Sequence, residues 1–128
     1  MSTWIIPCNL SYYNVVGAFN TFAQIDWKQS TNIQVGDTVY IYVGRPVKAV
    51  LFKCIATKTN LPKAEVDDSA FVINDIEYGN YGNYMELKWI EKYPEDKFTL
   101  DKLIAEGLRG NIQGPRRIDG RLLMLLSS

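Results

Sequence analysis

The sequence predicts a mainly antiparallel α+β domain, a small and strongly bent sheet or partly closed barrel with helices packed at its ends. Three observations point to it. Residues 38–43 (T-V-Y-I-Y-V) and 84–90 (Y-M-E-L-K-W-I) alternate with the period of two that belongs to a strand with two different faces. Residues 47–57 (V-K-A-V-L-F-K-C-I-A-T) are largely apolar on both faces, as a central strand must be. A chain of 128 residues suits one domain, 1–128, able to bury a core of its own.

Taken in order, residues 3–8 (T-W-I-I-P-C) read as a short strand with Pro7 near its end, because proline cannot donate to a ladder. Ser11 is placed to cap a helix over 12–20, with Val15, Val16 and Phe19 as its inner stripe and Phe22 just beyond. Gly17 weakens that helix but permits close packing of backbones. Val35-Gly36-Asp37 is a turn, after which Val39, Ile41 and Val43 form a core face. Thr38, Tyr40 and Tyr42 form an aromatic and polar face suited to a pocket wall. A turn at Gly44-Arg45-Pro46 leads to the central strand, in which Val47, Ala49, Leu51, Lys53 and Ile55 share one face, and Val50, Phe52 and Cys54 fall on the other. Residues 58–69 read as a charged loop and 71–73 as a short strand. Residues 75–84 repeat Tyr, Gly and Asn: Tyr78, Tyr81 and Tyr84 either pack on one another or face a ligand. In 84–90, Met85, Leu87 and Trp89 face inward, and Pro94 follows the strand. Thr99 caps a helix over 100–106 with Leu100, Leu103 and Ile104 inward, and Gly107 stops it. Residues 107–121 carry four glycines and four arginines, an irregular stretch before a last helix over 120–126 that Asp119 can cap.

Composition narrows the chemistry. The chain has no histidine, which removes Ser-His-Asp and Cys-His nucleophile systems, imidazole acid–base work and most zinc sites. The expectation is a protein that is not an enzyme and needs no metal or cofactor. Cys8 and Cys54 form no CxxC pair, and in a cytoplasmic chain they are expected reduced and buried. No apolar run approaches a membrane span, and the start shows no signal-peptide pattern, so the expected location is the cytoplasm. Net charge is zero, which argues against a general electrostatic grip on a long duplex but allows a local basic patch.

Candidate binding residues fall in three places. Trp27, between Asp26 and the polar run Lys28, Gln29 and Ser30, is either a lid on the core or a stacking surface. Asn9 and Ser11 follow a strand and open a helix, where an amide and backbone N–H groups can meet a polar ligand. The segment 110–117 (G-N-I-Q-G-P-R-R) offers glycine backbone for close approach, and Arg116 and Arg117 for phosphates, unless those arginines pair with local acids such as Asp119. It lacks the Lys-Ser/Thr ending of a Walker loop. Asp67, Asp68 and Asp75 read as a solvated loop rather than a metal or hydrolase site.

Four stretches together, W-I-I-P-C-N, D-W-K-Q-S, V-G-D-T-V-Y-I-Y-V-G and G-N-I-Q-G-P-R-R-I, resemble the EVE domain family of the PUA-like superfamily, which also holds YTH and ASCH domains. The likeness runs over nearly the whole chain. Each motif is weak alone, and their order and spacing make the combination specific. The resemblance implies a PUA-like pseudo-barrel and a reader of a modified base, notably methylated or hydroxymethylated cytosine in DNA, whereas YTH relatives bind methyladenine in RNA. Prokaryotic EVE domains are often fused to nuclease effectors of modification-dependent restriction. This sequence ends on L-L-M-L-L-S-S, so an effector nuclease would be a partner in trans. By the resemblance, Trp27 and Tyr42 are pocket walls, Asn9 and Ser11 line one side, Lys28, Gln29 and Ser30 the rim, and Gln113, Gly114 and Pro115 the far side. The chain departs from the family pattern at Pro7-Cys8-Asn9, where relatives often carry a Lys-Ser pair, so its contacts to the base edge differ.

Alternatives of other classes are an RNA-binding PUA- or ASCH-like module, a nucleotide-binding protein or enzyme using Lys28, Tyr42 or an acid, and a protein-interaction module presenting the Tyr78–Tyr84 loop.

Overall fold

A computed structural model describes residues 2–9, 14–21, 24–29, 32–61, 83–109, 112 and 114–127. Its strands are β1 (Thr3–Cys8), β2 (Gln24–Gln29), β3 (Thr38–Val43), β4 (Ala49–Leu61), β5 (Asn83–Lys92) and β6 (Arg116–Arg117). The helices are α1 (Val15–Thr21), α2 (Leu100–Ala105) and α3 (Gly120–Ser127). One sheet orders the strands β2-β5-β4-β3-β1-β6. Every neighbouring pair is antiparallel except β1 and β3, which run parallel from Thr3↔Thr38 to Cys8↔Val43. The sheet is therefore mainly antiparallel, as alternation predicts.

Curvature comes from register breaks along β4. Ile41 pairs with Phe52 but Tyr42 pairs with Val50, so Leu51 is an extra residue in β4. Three further shifts interrupt the pairing of β4 with β5. Each bulge bends the strand and tightens its twist, which wraps a flat sheet toward a barrel. The bulge also corrects the expected facing of β4. Ala49, Leu51, Phe52, Cys54 and Ala56 share one buried cluster while Val50 belongs to another, because the side-chain phase flips between Leu51 and Phe52. Lys53 and Ile55 are consequently displaced from the face of Ala49 and Leu51.

Both faces of the sheet are covered. The inner cluster gathers Ile6, Cys8, Val39, Ile41, Val43, Met85, Leu87 and the α1 residues Val15, Ala18 and Phe19. The outer cluster takes Ile5, Tyr40, Tyr42, Val50, Tyr93 and Phe98 beneath α2 and α3. The face of Tyr40 and Tyr42, expected to line a pocket, is instead a second core, and the Tyr40 hydroxyl donates to the Leu126 carbonyl at 3.2 Å. The physical reason lies in α2 and α3, whose Leu100, Leu103, Leu122 and Leu126 need an apolar surface to cover.

Helix ends also depart from expectation. The capping residue described at α1 is Asn14, whose Oδ1 accepts from Gly17 N at 3.0 Å and whose carbonyl accepts from Ala18 N at 3.0 Å. A Cβ on Gly17 would collide with that Asn14 side chain, so this glycine makes room for the cap. Thr99 caps α2 as expected, accepting from Lys102 N at 3.4 Å, and Gly107 ends it at φ +111. Ile104, expected inward, is 46% exposed, because α2 has only one buried stripe through Leu100 and Leu103. β4 extends to Leu61, taking in 58–61 from the expected loop, and β2 is a strand that the reading of the polar run around Trp27 missed. The expected strand 71–73 and the Tyr-Gly-Asn repeat lie outside the described residues, except that Tyr84 is fully buried at the start of β5.

The turn before β3 does more than reverse the chain. Gly36 adopts φ +93, and Asp37 is buried at 3% exposure. The Asp37 carboxylate accepts from Ser2 N at 2.9 Å, Trp4 Nε1 at 3.1 Å and Gln34 N at 3.0 Å. It thereby ties the start of β1 to the start of β3, and its charge is met by three N–H donors. Burial pushes the pKa of Asp37 up, but the bonds from Gln34, Ser2 and Trp4 together with the charge of the N-terminus outweigh it, so the pKa lies below the ordinary 3.8. Both cysteines are free and buried, and burial pushes the Cys8 thiol up to about 12 and the Cys54 thiol higher still, so neither is a nucleophile at neutral pH.

Two outcomes are expected. Because the pKa of Asp37 is lower folded than unfolded, its contribution is present above pH 3.8 and is lost as the pH falls through that value and below. Asp37→Asn should therefore cost about 2 kcal/mol in urea unfolding at pH 7, and the gap to the native protein should narrow at acid pH. Trp27 is 7% exposed in the inner cluster, so Trp27→Ala should lower stability by about 3–5 kcal/mol, whereas Trp27→Phe should keep the fold, as read by thermal unfolding.

Candidate functional site: an arginine-lined cleft at the sheet edge

A cleft lies where β6 meets α2 and α3. It is open and of about 410 Å³, lined by residues 106–109 and 116–122. Local sequence explains why a cleft forms there. Gly107 ends α2, the chain crosses to β6 through an irregular stretch, and only two residues pair with β1, Trp4↔Arg117 and Ile5↔Arg116. Ile118 N donates to the Thr3 carbonyl at 2.9 Å and closes that pairing, and α3 starts at Gly120. Between these anchors Leu108, Ile118 and Leu122 are buried as a floor, and the polar residues stand at the rim.

The rim carries Arg109, Arg116, Arg117 and Arg121 against the carboxylates Glu106 and Asp119. A chain of zero net charge thus concentrates positive charge on one edge. Several of the acceptors on these arginines are neutral. Arg116 Nη1 donates to the Arg109 carbonyl at 2.7 Å, and Arg117 Nη2 donates to the Ser2 hydroxyl at 2.6 Å. Arg121 Nη2 donates to the Ala105 carbonyl at 2.8 Å, and its Nε lies 3.4 Å from Glu106 Oε2. That ion pair is exposed, so it is weak and screened by salt. Bonds to carbonyls and hydroxyls orient a guanidinium without neutralising it. The arrangement suits anionic oxygens, to which arginine presents a rigid fork of donors.

The structure separates the site residues that the sequence suggested. Trp27 is the lid on the core of the two readings open to it, buried in the inner cluster opposite Met85. Tyr42 lies in the outer cluster, on the other side of the sheet, so the two rings do not face each other across one slot. Burial raises the pKa of the Tyr42 phenol from 10, with the charge of Arg45 pulling against it. Asn9 is exposed after the last residue of β1, four residues along from Ile5 and so roughly 13 Å from the Arg116 pairing at strand spacing. Lys28 and Gln29 lie on edge strand β2, across the sheet from β6. Ser11, Ser30 and Gln113 lie outside the described residues. Gly114 and Pro115 are partly exposed just before β6, and a Cβ on Gly114 would meet nothing within 4 Å.

Arg116 and Arg117 do line the cleft, but as neighbours in a strand they point to opposite faces of the sheet edge. They flank the edge and do not form one clamp. Sequence reasoning missed Arg109, Arg121 and Glu106 as cleft residues. The available signal was the four arginines in the glycine-rich stretch 107–121, of which only the adjacent pair was singled out. Asp37 was also missed, since a buried carboxylate in a turn reads as a surface turn residue.

No family model matches the sequence and no curated protein matches it. Solved structures do. The ASCH protein of Zymomonas mobilis superposes with a TM-score of 0.64 at 10% identity, covering 98% of this chain and 94% of that one. A Pseudomonas syringae protein gives 0.66 at 12% identity, covering 98% and 97%, and a Leishmania major protein gives 0.62 at 12%, covering 99% and 92%. The expected EVE membership is not shown by these comparisons, which bear on the fold: the named neighbours in fold are ASCH domains. In its fold the chain is a PUA-like pseudo-barrel, similar to the ASCH domain of Z. mobilis.

Proposed function

We propose that the protein is a nucleic-acid-binding module whose phosphate contacts are made in the arginine-lined cleft. The observation that carries this reading is the concentration of four arginines, against two carboxylates, on one edge of a neutral chain, with Arg117 held by a hydroxyl that leaves its charge in place. The PUA-like fold agrees with it, and so do the lack of histidine in the sequence and the inert cysteines. Placement of Arg116 and Arg117 on two faces of β6 favours successive phosphates of a strand that crosses the edge. RNA and single-stranded DNA both satisfy that geometry.

The finer reading is a reader of a modified base, methylated or hydroxymethylated cytosine in DNA, with an effector nuclease in trans. It rests on the sequence resemblance. A single methyl group contributes only about 0.8 kcal/mol by burial, so strong preference needs more than added apolar contact. A second reading, a small nucleotide-binding protein, draws on the cleft volume of about 410 Å³, a size suited to a small ligand.

Fluorescence polarisation with labelled oligonucleotides tests all three. Single-stranded RNA or DNA should bind with salt-dependent affinity. Arg109→Gln with Arg117→Gln should weaken it and reduce the slope of log K against log salt by about 0.7 for each phosphate that the variant no longer neutralises. Unchanged affinity and slope in that double variant would remove the cleft from the site. Tighter binding of methylcytosine oligonucleotides than of plain ones would support the finer reading, and competition by mononucleotide alone would favour the second.

A further inference from the structure

One aromatic ring stands next to an arginine of the cleft. Of the three tryptophans, Trp27 is buried in the inner cluster, and Trp89 packs against Phe19 and Phe52 at 6.5 and 6.4 Å between ring centroids. Trp4, like Trp89, is partly buried and packs against the inner cluster, but it stands at the sheet edge. It is the direct cross-strand partner of Arg117, so the two side chains share a face of the sheet, and the guanidinium carbon lies 6.0 Å from the ring centroid.

We infer that Trp4, with the Arg117 guanidinium over it, is the surface on which a nucleobase of a bound strand stacks while the adjoining phosphate enters the arginine cleft. The inference rests on the nucleic-acid reading above and names the residue that would read a base. Three features fit that role. The ring plane is fixed, because Trp4 Nε1 donates to the buried Asp37 carboxylate at 3.1 Å and β1 is paired on both sides, by β3 and β6. A fixed aromatic surface loses little freedom when a base lies on it. Arg117 is tethered only lightly, by the Ser2 hydroxyl, and no carboxylate partners it among the described residues. A phosphate can therefore replace that hydroxyl, and the planar guanidinium, like the indole, is itself a stacking surface for bases. Finally, Arg117 is also among the residues that line the cleft, so a strand that crosses the sheet edge meets the ring on one face and the cleft on the other. Asp37 has a part in this as a positioning residue, since it sets the indole and not the ligand.

The test uses the full chain and single-stranded oligonucleotides of about ten nucleotides, read by polarisation of a label and by intrinsic tryptophan fluorescence. One set carries bases throughout, and a matched set carries abasic sites at alternate positions with the backbone charge unchanged. The native protein should bind the abasic set about tenfold more weakly or worse. Binding of the full set should quench its fluorescence, and Trp4→Phe should abolish most of that quench while retaining salt-dependent binding. Equal affinity for both sets would overturn the Trp4 assignment and leave the phosphate cleft standing, as would a quench that persists in Trp4→Phe. Failure of the native protein to bind either set would overturn both. The abasic comparison needs no substitution, so it decides the matter even where Trp4→Phe disturbs the fold.

Discussion

The architecture depends on keeping β4 buried on both faces while the sheet curves around it. β4 is the longest strand, 13 residues, and it pairs with β3 on one side and β5 on the other. A regular strand of that length would carry one set of side chains to each face throughout. The extra residue at Leu51 and the shifts against β5 bend the strand and re-aim its side chains. Phe52 thereby joins Phe19 at 4.7 Å in the inner core, while Val50 stays with the outer one. From that bend follow the pseudo-barrel, the two cores and the positions of the helices that close them.

The site follows from the far end of the same sheet. β6 is only two residues long, too short to make a smooth edge, and the chain on either side of it departs to α2 and α3. The result is an open cleft with an apolar floor and a cationic rim. Edges of sheets are usually guarded by charge, and a pair of arginines on an edge strand is in the first instance such a guard. What distinguishes this edge is the gathering of Arg109 and Arg121 from other segments around the same space, and the partly exposed Trp4 next to Arg117. Asp37 connects these features to the fold. Its carboxylate binds the backbone that starts β1 and the indole that flanks Arg117.

Several particular residues show how far sequence reading reached. The period-two strands around Val39, Ile41 and Val43 and around Met85, Leu87 and Trp89 stand where alternation puts them, and so do the Thr99 cap and the Gly107 stop. These features are local: a strand's two faces and a helix's end are decided by neighbours a few residues away. β2 escaped notice because Trp27 stands in it among polar residues, as an edge strand allows. Tyr40 and Tyr42 looked like pocket residues because a hydroxyl on a ring suits a wet face as well as a dry one. The helices that cover them lie more than fifty residues further along the chain.

By itself the sequence determined the class of fold, the Thr99 cap and the turns around β3, the membership of most of the core, the burial of both cysteines and the presence of a local cationic stretch in a neutral chain. Each of these follows from residue chemistry and short-range periodicity. Tertiary structure alone decided that Trp27 and Tyr42 belong to separate cores, that Arg116 and Arg117 flank an edge and form no clamp, and that the ring beside the arginines is Trp4. These are matters of which segments distant in the chain come to lie together. No local pattern carries that information, because it arises from the closure of the sheet, which brings the first strand and the last into one pair.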